Sequence, residues 1–370
     1  MKIGILTASY APNYGALLQC YALQQYLTQR GENVEVIDYV PDVADLHWST
    51  FPFRAFSKAT LKGKLTIFSK FLLFLPFRLR RQHKFSQFVN KYLKLSKHSY
   101  KSGVVSFDDR YDIYIIGSDQ MWSKNIFEMD PVYWGNFEKK QGERIVSYAV
   151  SCGSTDQFNR DDEIYIKKSL ANFSFISVRE DVLARYIEGL TSLPVATVLD
   201  PTLMLKKEAY DALAVKPSIK EEYVLIYRIG DNSLIDEMAE IASKHYGGVK
   251  IVEIGNSMIT HRLRHPHYKQ CTPSICEFLG YFKYAKCIFS RSFHGLVFSL
   301  MFRRQFYVGE SDIMDRVNNL LDIIGLKNRV INRQNIHSMK FEEIDYESVE
   351  RKLLEKSIES AAFIDKILEC

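Results

Sequence analysis

Residues 3–9, Ile3-Gly4-Ile5-Leu6-Thr7-Ala8-Ser9, and residues 34–39, Val34-Glu35-Val36-Ile37-Asp38-Tyr39, are two apolar runs of the length that strands have. Between them apolar residues recur at helical spacing, and Gly31 follows as a stop signal. These helical positions are Ala16, Leu17, Cys20, Leu23 and Leu27. A strand, a helix and a second strand in this order predict a βαβ unit, whose two strands lie parallel in one sheet.

The alternation of strands and helices continues along the chain and starts a second time after a polar, lysine-rich stretch that ends at Glu222. Further strands of the first series are predicted at 112–117, 145–152, 175–178 and 195–199. The second series predicts strands at 223–229, 249–254, 287–290 and 305–308, and helices at 234–246, 274–283 and from Gly295. These two series predict an α/β protein with two Rossmann-like lobes facing a cleft, at 1–205 and 206–340. The remaining segment, 341–370, has the spacing of an amphipathic helix.

An insertion at about 41–101 interrupts this rhythm and is predicted to be a basic helical segment of the first lobe. It lies in a gap between Asp45 and Asp108 that contains no acidic residue and many lysines and arginines. One interpretation is that these charges form the solvated faces of two helices that pack on the first lobe. The other is peripheral contact with an anionic membrane through an apolar cluster flanked by basic residues. That cluster consists of Phe68, Phe71, Leu72, Phe74, Leu75, Phe77 and Leu79.

Composition limits the classes of function. The chain has 370 residues, 46% of them hydrophobic, which is enough for two domains, and its net charge of +5 is too small to indicate a nucleic-acid partner. The cysteines are scattered without a C-x-x-C pair, and no His/Cys cluster has the spacing of a zinc site. The N-terminal residues lack the pattern of a secretory signal, and the longest apolar stretch is broken by polar residues and a proline. We therefore expect a cytoplasmic protein, either soluble or peripheral at the inner face of the membrane.

Candidate site residues are those that directly follow predicted strands, because ligands bind at the carboxyl ends of parallel strands. The turn Asn13-Tyr14-Gly15 leads into a helix, and it could hold an anion or a sugar hydroxyl or be an ordinary turn. Neither a P-loop nor a G-x-G-x-x-G motif is present. After the strand at 112–117, Ser118, Asp119 and Trp122 offer hydrogen bonds, a proton acceptor and a flat apolar face for a sugar ring.

Two further candidates are basic. Arg179 follows the strand at 175–178 and could bind a carboxylate or phosphate with two parallel hydrogen bonds, or pair with the neighbouring Glu180 or Asp181. The segment Arg291-Ser292-Phe293-His294-Gly295 opens an apolar run predicted to be a helix, whose first amides and positive dipole end favour an anion. A histidine there could transfer a proton, or could simply cap a core helix.

Taken together and in this order, these segments resemble the polysaccharide pyruvyl transferase family. The matching segments are Asn13-Tyr14-Gly15-Ala16-Leu17-Leu18-Gln19 with Tyr21-Ala22-Leu23, Gly117-Ser118-Asp119-Gln120-Met121-Trp122, Ser147-Tyr148-Ala149-Val150-Ser151-Cys152-Gly153, Ile176-Ser177-Val178-Arg179-Glu180, Asp200-Pro201-Thr202-Leu203-Met204-Leu205 and Ser292-Phe293-His294-Gly295. The resemblance implies a GT-B-like fold and transfer of the enolpyruvyl part of phosphoenolpyruvate to sugar hydroxyls, usually as a cyclic pyruvate ketal with loss of phosphate. In the family, the arginine matching Arg179 and the histidine matching His294 are associated with the donor. Many members have an acidic or small residue where this chain has Arg291.

The resemblance gives the candidate residues roles. Phosphoenolpyruvate carries a carboxylate and a phosphate, which Arg179, Arg291 and the turn at His294 and Gly295 could bind. Our hypothesis makes His294 the general acid and lets Asp119 position or deprotonate the acceptor hydroxyl. The donor is then a substrate, with neither a cofactor nor a metal implied. The acceptor, a sugar, nucleotide sugar or lipid-linked glycan of a cell-surface polysaccharide, cannot be read from the sequence.

Two other functions remain compatible with the same residues. A GT-B glycosyltransferase would use two lobes and a basic cleft to bind a nucleotide sugar. A non-catalytic protein could bind glycans or a membrane surface through Trp122 and the basic insertion.

Overall fold

The first βαβ unit forms the centre of a parallel sheet in the computed structural model, which describes residues 1–44, 51, 53–230, 233–255, 265–310 and 315–369, without the side chains of 53–55. The five strands of this sheet are β1 (Lys2–Leu6), β2 (Asn33–Val40), β3 (Leu95–Lys101), β4 (Ile113–Ile116) and β5 (Arg144–Ser147). Their order is β3-β2-β1-β4-β5, and Ile3 of the central strand is paired with Val34 on one side and Ile113 on the other. Two shorter parallel strands, β6 (Ile176–Val178) and β7 (Val195–Thr197), pair with each other.

The helices up to residue 205 are α1 (Tyr14–Gln29), α2 (Phe53–Lys58), α3 (Leu61–Tyr92), α4 (Lys124–Phe127), α5 (Arg160–Leu170), α6 (Asp181–Glu188) and α7 (Pro201–Met204). The sheet is apolar on both faces, as parallel sheets covered by helices are. Along β4 this gives an alternation: Ile113 and Ile115 belong to one core cluster, Tyr114 and Ile116 to the other.

A second parallel sheet lies in the C-terminal half. Its strands are β8 (Tyr223–Arg228), β9 (Lys250–Gly255), β10 (Lys269–Cys271), β11 (Cys287–Ser290), β12 (Gln305–Gly309) and β13 (Val330–Ile331), in the order β10-β9-β8-β11-β12-β13. The accompanying helices are α8 (Lys207–Leu213), α9 (Ser233–His245), α10 (Ile275–Tyr284), α11 (Phe293–Met301) and α12 (Asp315–Ile324). In each sheet the first strand of the series, β1 or β8, lies in the interior of the sheet. The next two strands along the chain lie on one side of it and the later strands lie on the other side, as in doubly wound folds.

The chain divides into two units, Met1–Leu205 with Lys356–Cys370, and Lys206–Glu355. The predicted separate segment at 341–370 is not a unit of its own. It contains the last helix, α13 (Tyr346–Glu369), whose first part belongs to the second unit and whose remainder belongs to the first. In the first unit Ile364 and Ile367 are buried in the same core cluster as Ile3 and Ile5.

The insertion differs from the prediction of a wholly helical segment, because β3 (Leu95–Lys101) follows the long helix and pairs with β2. As the edge strand of the sheet, β3 tolerates polar side chains, so its sequence carries no alternating apolar signal. Residues 45–50 and 52 of the predicted insertion lie outside the described residues. Among the described helices, none combines the length and apolar character needed to cross a bilayer.

Candidate active site

Arg179 lies at the carboxyl end of β6, where the strand passes into α6. Its guanidinium is almost completely buried and forms an ion pair with Asp200, with 2.6 Å between Nη2 and Oδ2. Nη2 also donates a hydrogen bond of 2.5 Å to Ser118 Oγ. The sequence suggested a pairing with one of the next two acidic residues along the chain, whereas the ion pairs of this guanidinium run to Asp200 and, at a longer distance, to Asp119. The buried carboxylate of Asp200 thus holds the guanidinium in place at the end of β6.

Ser118 and Asp119 lie in the loop after β4, beside this arginine. Ser118 is fully buried, and its hydroxyl contacts Arg179 and Asp200. The hydroxyl is therefore not presented to a ligand, contrary to the predicted substrate contact. Asp119 is different, because its side chain is 19% exposed and Oδ1 is 3.7 Å from Arg179 Nη1. Asp119 is therefore the carboxylate of this group that an external molecule can reach.

The backbone fixes Asp119 in an unusual conformation. Its φ is +75°, in the left-handed region that aspartate tolerates better than most residues. The amide of Ser151 donates a 2.9 Å hydrogen bond to the Asp119 carbonyl. The preceding Gly117 has a φ of +121°, and a Cβ there would lie 2.3 Å from the Tyr148 carbonyl oxygen, so only glycine fits. Backbone conformations of this kind concentrate at functional sites.

Asn13 and Tyr14 belong to the turn between β1 and α1. Asn13 is the N-cap of α1, and its Oδ1 accepts hydrogen bonds from the amides of Gly15 and Ala16 at 2.9 and 3.3 Å. The Tyr14 ring is buried and packs on Phe85 with 4.9 Å between centroids. These contacts are those of an ordinary capped turn, which the sequence left as the alternative.

Trp122 does not offer the exposed face that the sequence suggested. Its side chain is fully buried, it stacks on Trp134 at 4.8 Å, and its Nε1 donates to the Tyr133 carbonyl. The prediction rested on the polar residues Ser118, Asp119 and Gln120, which precede it in the same loop. Trp122 instead points into the core, because Trp134 and Phe173 supply an aromatic pocket from distant parts of the chain.

In the second unit, His294 lies in the first turn of α11, directly after β11. The helix begins at Phe293, two residues before the predicted start at Gly295. His294 is 6% exposed, and its ring contacts that of Phe293 edge to face at 5.4 Å. Gly295 permits the helix to approach the strand, because a Cβ there would lie 2.5 Å from Ser290 Oγ. Within the described structure, the N-cap residue Ser292 makes no capping hydrogen bond through its side chain.

Arg291 adds positive charge at this helix start. It is half-buried, and its side chain runs beside Gly309 at the end of β12. Arg291 Cγ lies 3.6 Å from the position that a Cβ on Gly309 would take. Its Nε is buried and donates no hydrogen bond to any residue that the structure describes. Arg291 and the first amides of α11 thus combine a cation and a helix dipole, an arrangement that favours an anion.

A buried charge network at the carboxyl ends of β8 and β9 was missed from the sequence. Arg228 Nε donates to Glu253 Oε1 at 2.6 Å, and Arg228 Nη2 contacts Asp236 of α9. Charged residues inside otherwise apolar strands were the available signal in the sequence for this network.

Nearby, Glu240, His265 and His267 bring possible metal-ligand atoms within 4.8 Å of one another. The 2.7 Å contact between His267 Nε2 and Glu240 Oε1 is also that of a surface ion pair, so this cluster does not by itself indicate a metal.

Three solved structures are similar to this chain over most of its length. S. aureus MnaA, in its co-structure with UDP, superposes with a TM-score of 0.50, at 14% identity over 95% of this chain and 90% of that chain. UDP-N-acetylglucosamine 2-epimerase from Rickettsia bellii gives a TM-score of 0.49, at 10% identity over 100% and 96% of the two chains. E. coli heptosyltransferase WaaC with ADP gives 0.42, at 11% identity over 96% and 100%. The fold is GT-B-like, with two Rossmann-like units.

The family follows from the sequence of the same segments. The family model for polysaccharide pyruvyl transferase matches residues 13–308, and the chain belongs to this family of transferases. A search of curated proteins found no significant match.

Proposed function

We propose that this protein transfers the enolpyruvyl group of phosphoenolpyruvate to two hydroxyls of a sugar and so forms a cyclic pyruvate ketal on a cell-surface polysaccharide or its precursor. Membership of the polysaccharide pyruvyl transferase family over residues 13–308 is the observation that carries this proposal. The charged groups at the carboxyl ends of both sheets support it, because the reaction needs an anion site and acid–base groups.

The donor has two anionic groups on three carbons. In our proposal Arg291 and the first amides of α11 bind one of them, and Arg179 contributes positive charge beside Asp119. Because Asp200 and Ser118 already hold the Arg179 guanidinium, its direction is fixed before a ligand arrives. Fixed donors of this kind need no rearrangement when charge develops during the reaction.

The chemistry proceeds by proton transfer and addition. His294 donates a proton to the methylene carbon of phosphoenolpyruvate while a sugar hydroxyl attacks the adjacent carbon and loses its proton to Asp119. Phosphate then leaves, taking the electron pair of the C–O bond, and the resulting cation is captured by the second hydroxyl, whose proton passes to the departing phosphate or to water. The proton on Asp119 returns to His294 through solvent, so that donor and diol become ketal and inorganic phosphate.

The test is turnover with defined substrates. The protein is incubated with phosphoenolpyruvate and a panel of sugars, nucleotide sugars and lipid-linked glycans, and phosphate release is measured together with ketal formation by mass spectrometry. We expect both products to appear in equal amounts with at least one acceptor. A parallel panel with UDP-sugars as donors is included because the S. aureus MnaA co-structure contains UDP. Glycosyl transfer from a nucleotide sugar without any use of phosphoenolpyruvate would contradict the proposal.

A further inference from the structure

The long helix α3 (Leu61–Tyr92) carries an apolar row on its outer face. Its members are Leu61, Leu65, Phe68, Leu72 and Leu79, exposed to 79%, 66%, 48%, 53% and 51%. Their spacings of four, three, four and seven residues place all five on one side of the helix. A contiguous exposed apolar surface of this kind marks an interaction site more often than isolated apolar residues do.

The internal contacts of this part of the helix are made by Phe71, which lies about a quarter of a turn away from the row. Phe71 packs edge to face on Phe51 at 4.9 Å between ring centroids, and Phe51 packs on Phe56 of α2 at 5.1 Å. No side chain of α3 is buried before Phe85. The row is therefore additional to the surface by which this helix packs on its neighbour.

Basic residues flank the row on both sides. In helical projection Lys62 and Arg80 lie on one side and Lys64 on the other, and the sequence contains no acidic residue between Asp45 and Asp108. Long basic side chains can lie along an apolar surface and place their charges at its edge. An apolar row with basic flanks is complementary to a bilayer surface whose headgroups are anionic.

The C-terminal turns of α3 attach the helix to the first unit. Phe85 and Phe88 are buried, and their rings contact Tyr14 and Tyr21 of α1 at 4.9 and 5.9 Å. Arg81 Nη2 also donates a 2.7 Å hydrogen bond to the Pro12 carbonyl. These contacts fix one end of the helix beside the turn that follows β1, and they leave the apolar row outside the core.

We propose that α3 binds the surface of an anionic lipid bilayer, with the row Leu61–Leu65–Phe68–Leu72–Leu79 among the acyl chains and the flanking lysines and arginines at the headgroups. The helix lies in the interface and does not cross the bilayer, consistent with its basic residues and with Pro76 in its middle. The inference does not depend on pyruvyl transfer, because it rests on this surface alone.

Vesicle sedimentation of the full chain without substrates tests the proposal. We expect binding to vesicles with phosphatidylglycerol, at least tenfold weaker binding to pure phosphatidylcholine, and weaker binding at high salt. The double variant Leu65→Glu/Leu72→Glu should lose at least tenfold in affinity. Its matched control is Leu354→Glu/Ile358→Glu, which alters two equally exposed apolar residues of α13 (61% and 62%) and should bind like the wild type.

Three results would overturn the proposal. They are no binding of the wild type to anionic vesicles, unchanged binding of the Leu65→Glu/Leu72→Glu variant, and self-association through the row, seen by light scattering, in place of vesicle binding. A variant that fails to fold is replaced by Lys62→Glu/Lys64→Glu, which keeps the apolar row and should lose the preference for anionic lipid. Phosphate release from phosphoenolpyruvate with a soluble acceptor is measured separately, so failure of one proposal is distinguished from failure of the other.

Discussion

At the scale of single residues, His294 is the group whose removal separates chemistry from binding. Replacing His294 with Ala should lower turnover by about 10²–10⁴-fold, the usual contribution of a general acid, while phosphoenolpyruvate still binds through the arginines. Phosphate release and calorimetric titration measure the two effects. His337→Ala, which alters a histidine of the same unit with 81% side-chain exposure, is the control and should leave both unchanged. Turnover that survives in His294→Ala would remove this residue from the mechanism.

Arg179 is a residue where geometry matters more than charge. The conservative variant Arg179→Lys keeps the positive charge but cannot contact Asp200, Ser118 and Asp119 together. We expect phosphoenolpyruvate affinity to fall at least tenfold, as measured by calorimetry. The control Arg303→Lys alters an exposed arginine that pairs with Glu350 and should bind normally. If Arg179→Lys lowers only the melting temperature and leaves affinity intact, the arginine has a structural role alone.

The position directly after a predicted strand indicated residues that the fold brings together, where the strand sets the direction of the side chain. It identified Asp119 and Arg179, which the structure brings within 3.7 Å. It did not identify Asp200 as the partner of Arg179, because the two strands before them pair through the fold and not through local sequence. It also failed for Trp122, whose burial depends on Trp134 and Phe173.

At the scale of elements, the start of α5 gives a prediction about pH. Asn159 and Asp162 form a capping box, and Asp162 also pairs with Lys124 at 2.5 Å. Partial burial alone would raise the pKa of Asp162, but the Asn159 amide and Lys124 outweigh it and lower the pKa below 3.8. These contacts therefore stabilise the fold above about pH 4, and their contribution is lost as the pH falls through the lowered pKa.

Asp162→Ala should accordingly lower the free energy of unfolding by about 1 kcal/mol near neutral pH. The difference from the wild type should shrink as the pH is lowered below 3.8, because the wild-type carboxylate becomes protonated. Urea denaturation at several pH values measures this, with Asp161→Ala, at an exposed neighbouring position, as the control. If the difference in unfolding free energy between Asp162→Ala and the wild type does not change with pH, the charged carboxylate of Asp162 contributes nothing to stability.

The elements differ in how well the sequence predicted them. The central strands β1, β4, β8 and β11 are buried and apolar, and their positions were predicted to within a few residues. The edge strands β3, β10 and β13 were missed, because an edge strand needs few apolar residues and depends on a neighbour for its hydrogen bonds.

At the scale of the whole molecule, the last helix stabilises the first unit. Ile367 is fully buried among β1, β4 and β5 residues, and its carbonyl accepts a 2.9 Å hydrogen bond from Arg144 Nη1. Ile367→Ala should lower the free energy of unfolding of this unit by about 2–5 kcal/mol. Tryptophan fluorescence reports on this unit through Trp122 and Trp134, which are buried in it. Leu354→Ala, at a 61% exposed position of the same helix, should have little effect. Equal stability of the two variants would contradict this role.

The two-series pattern of strands and helices was sufficient to predict the class of fold, because doubly wound sheets repeat a simple rhythm along the chain. The return of α13 to the first unit was not predictable. Its amphipathic spacing shows that one face is buried, but the spacing contains no information about which sheet supplies the partner surface.

This returning helix constrains the order of events during synthesis on the ribosome. The first unit emerges early, yet Ile364 and Ile367 of its core are translated only after the whole of Lys206–Glu355. At ordinary elongation rates the delay is on the order of ten seconds, during which the surface around Ile3 and Ile5 lacks its cover. Until α13 is translated, the nascent N-terminal portion therefore exposes apolar surface of the kind that chaperones shield.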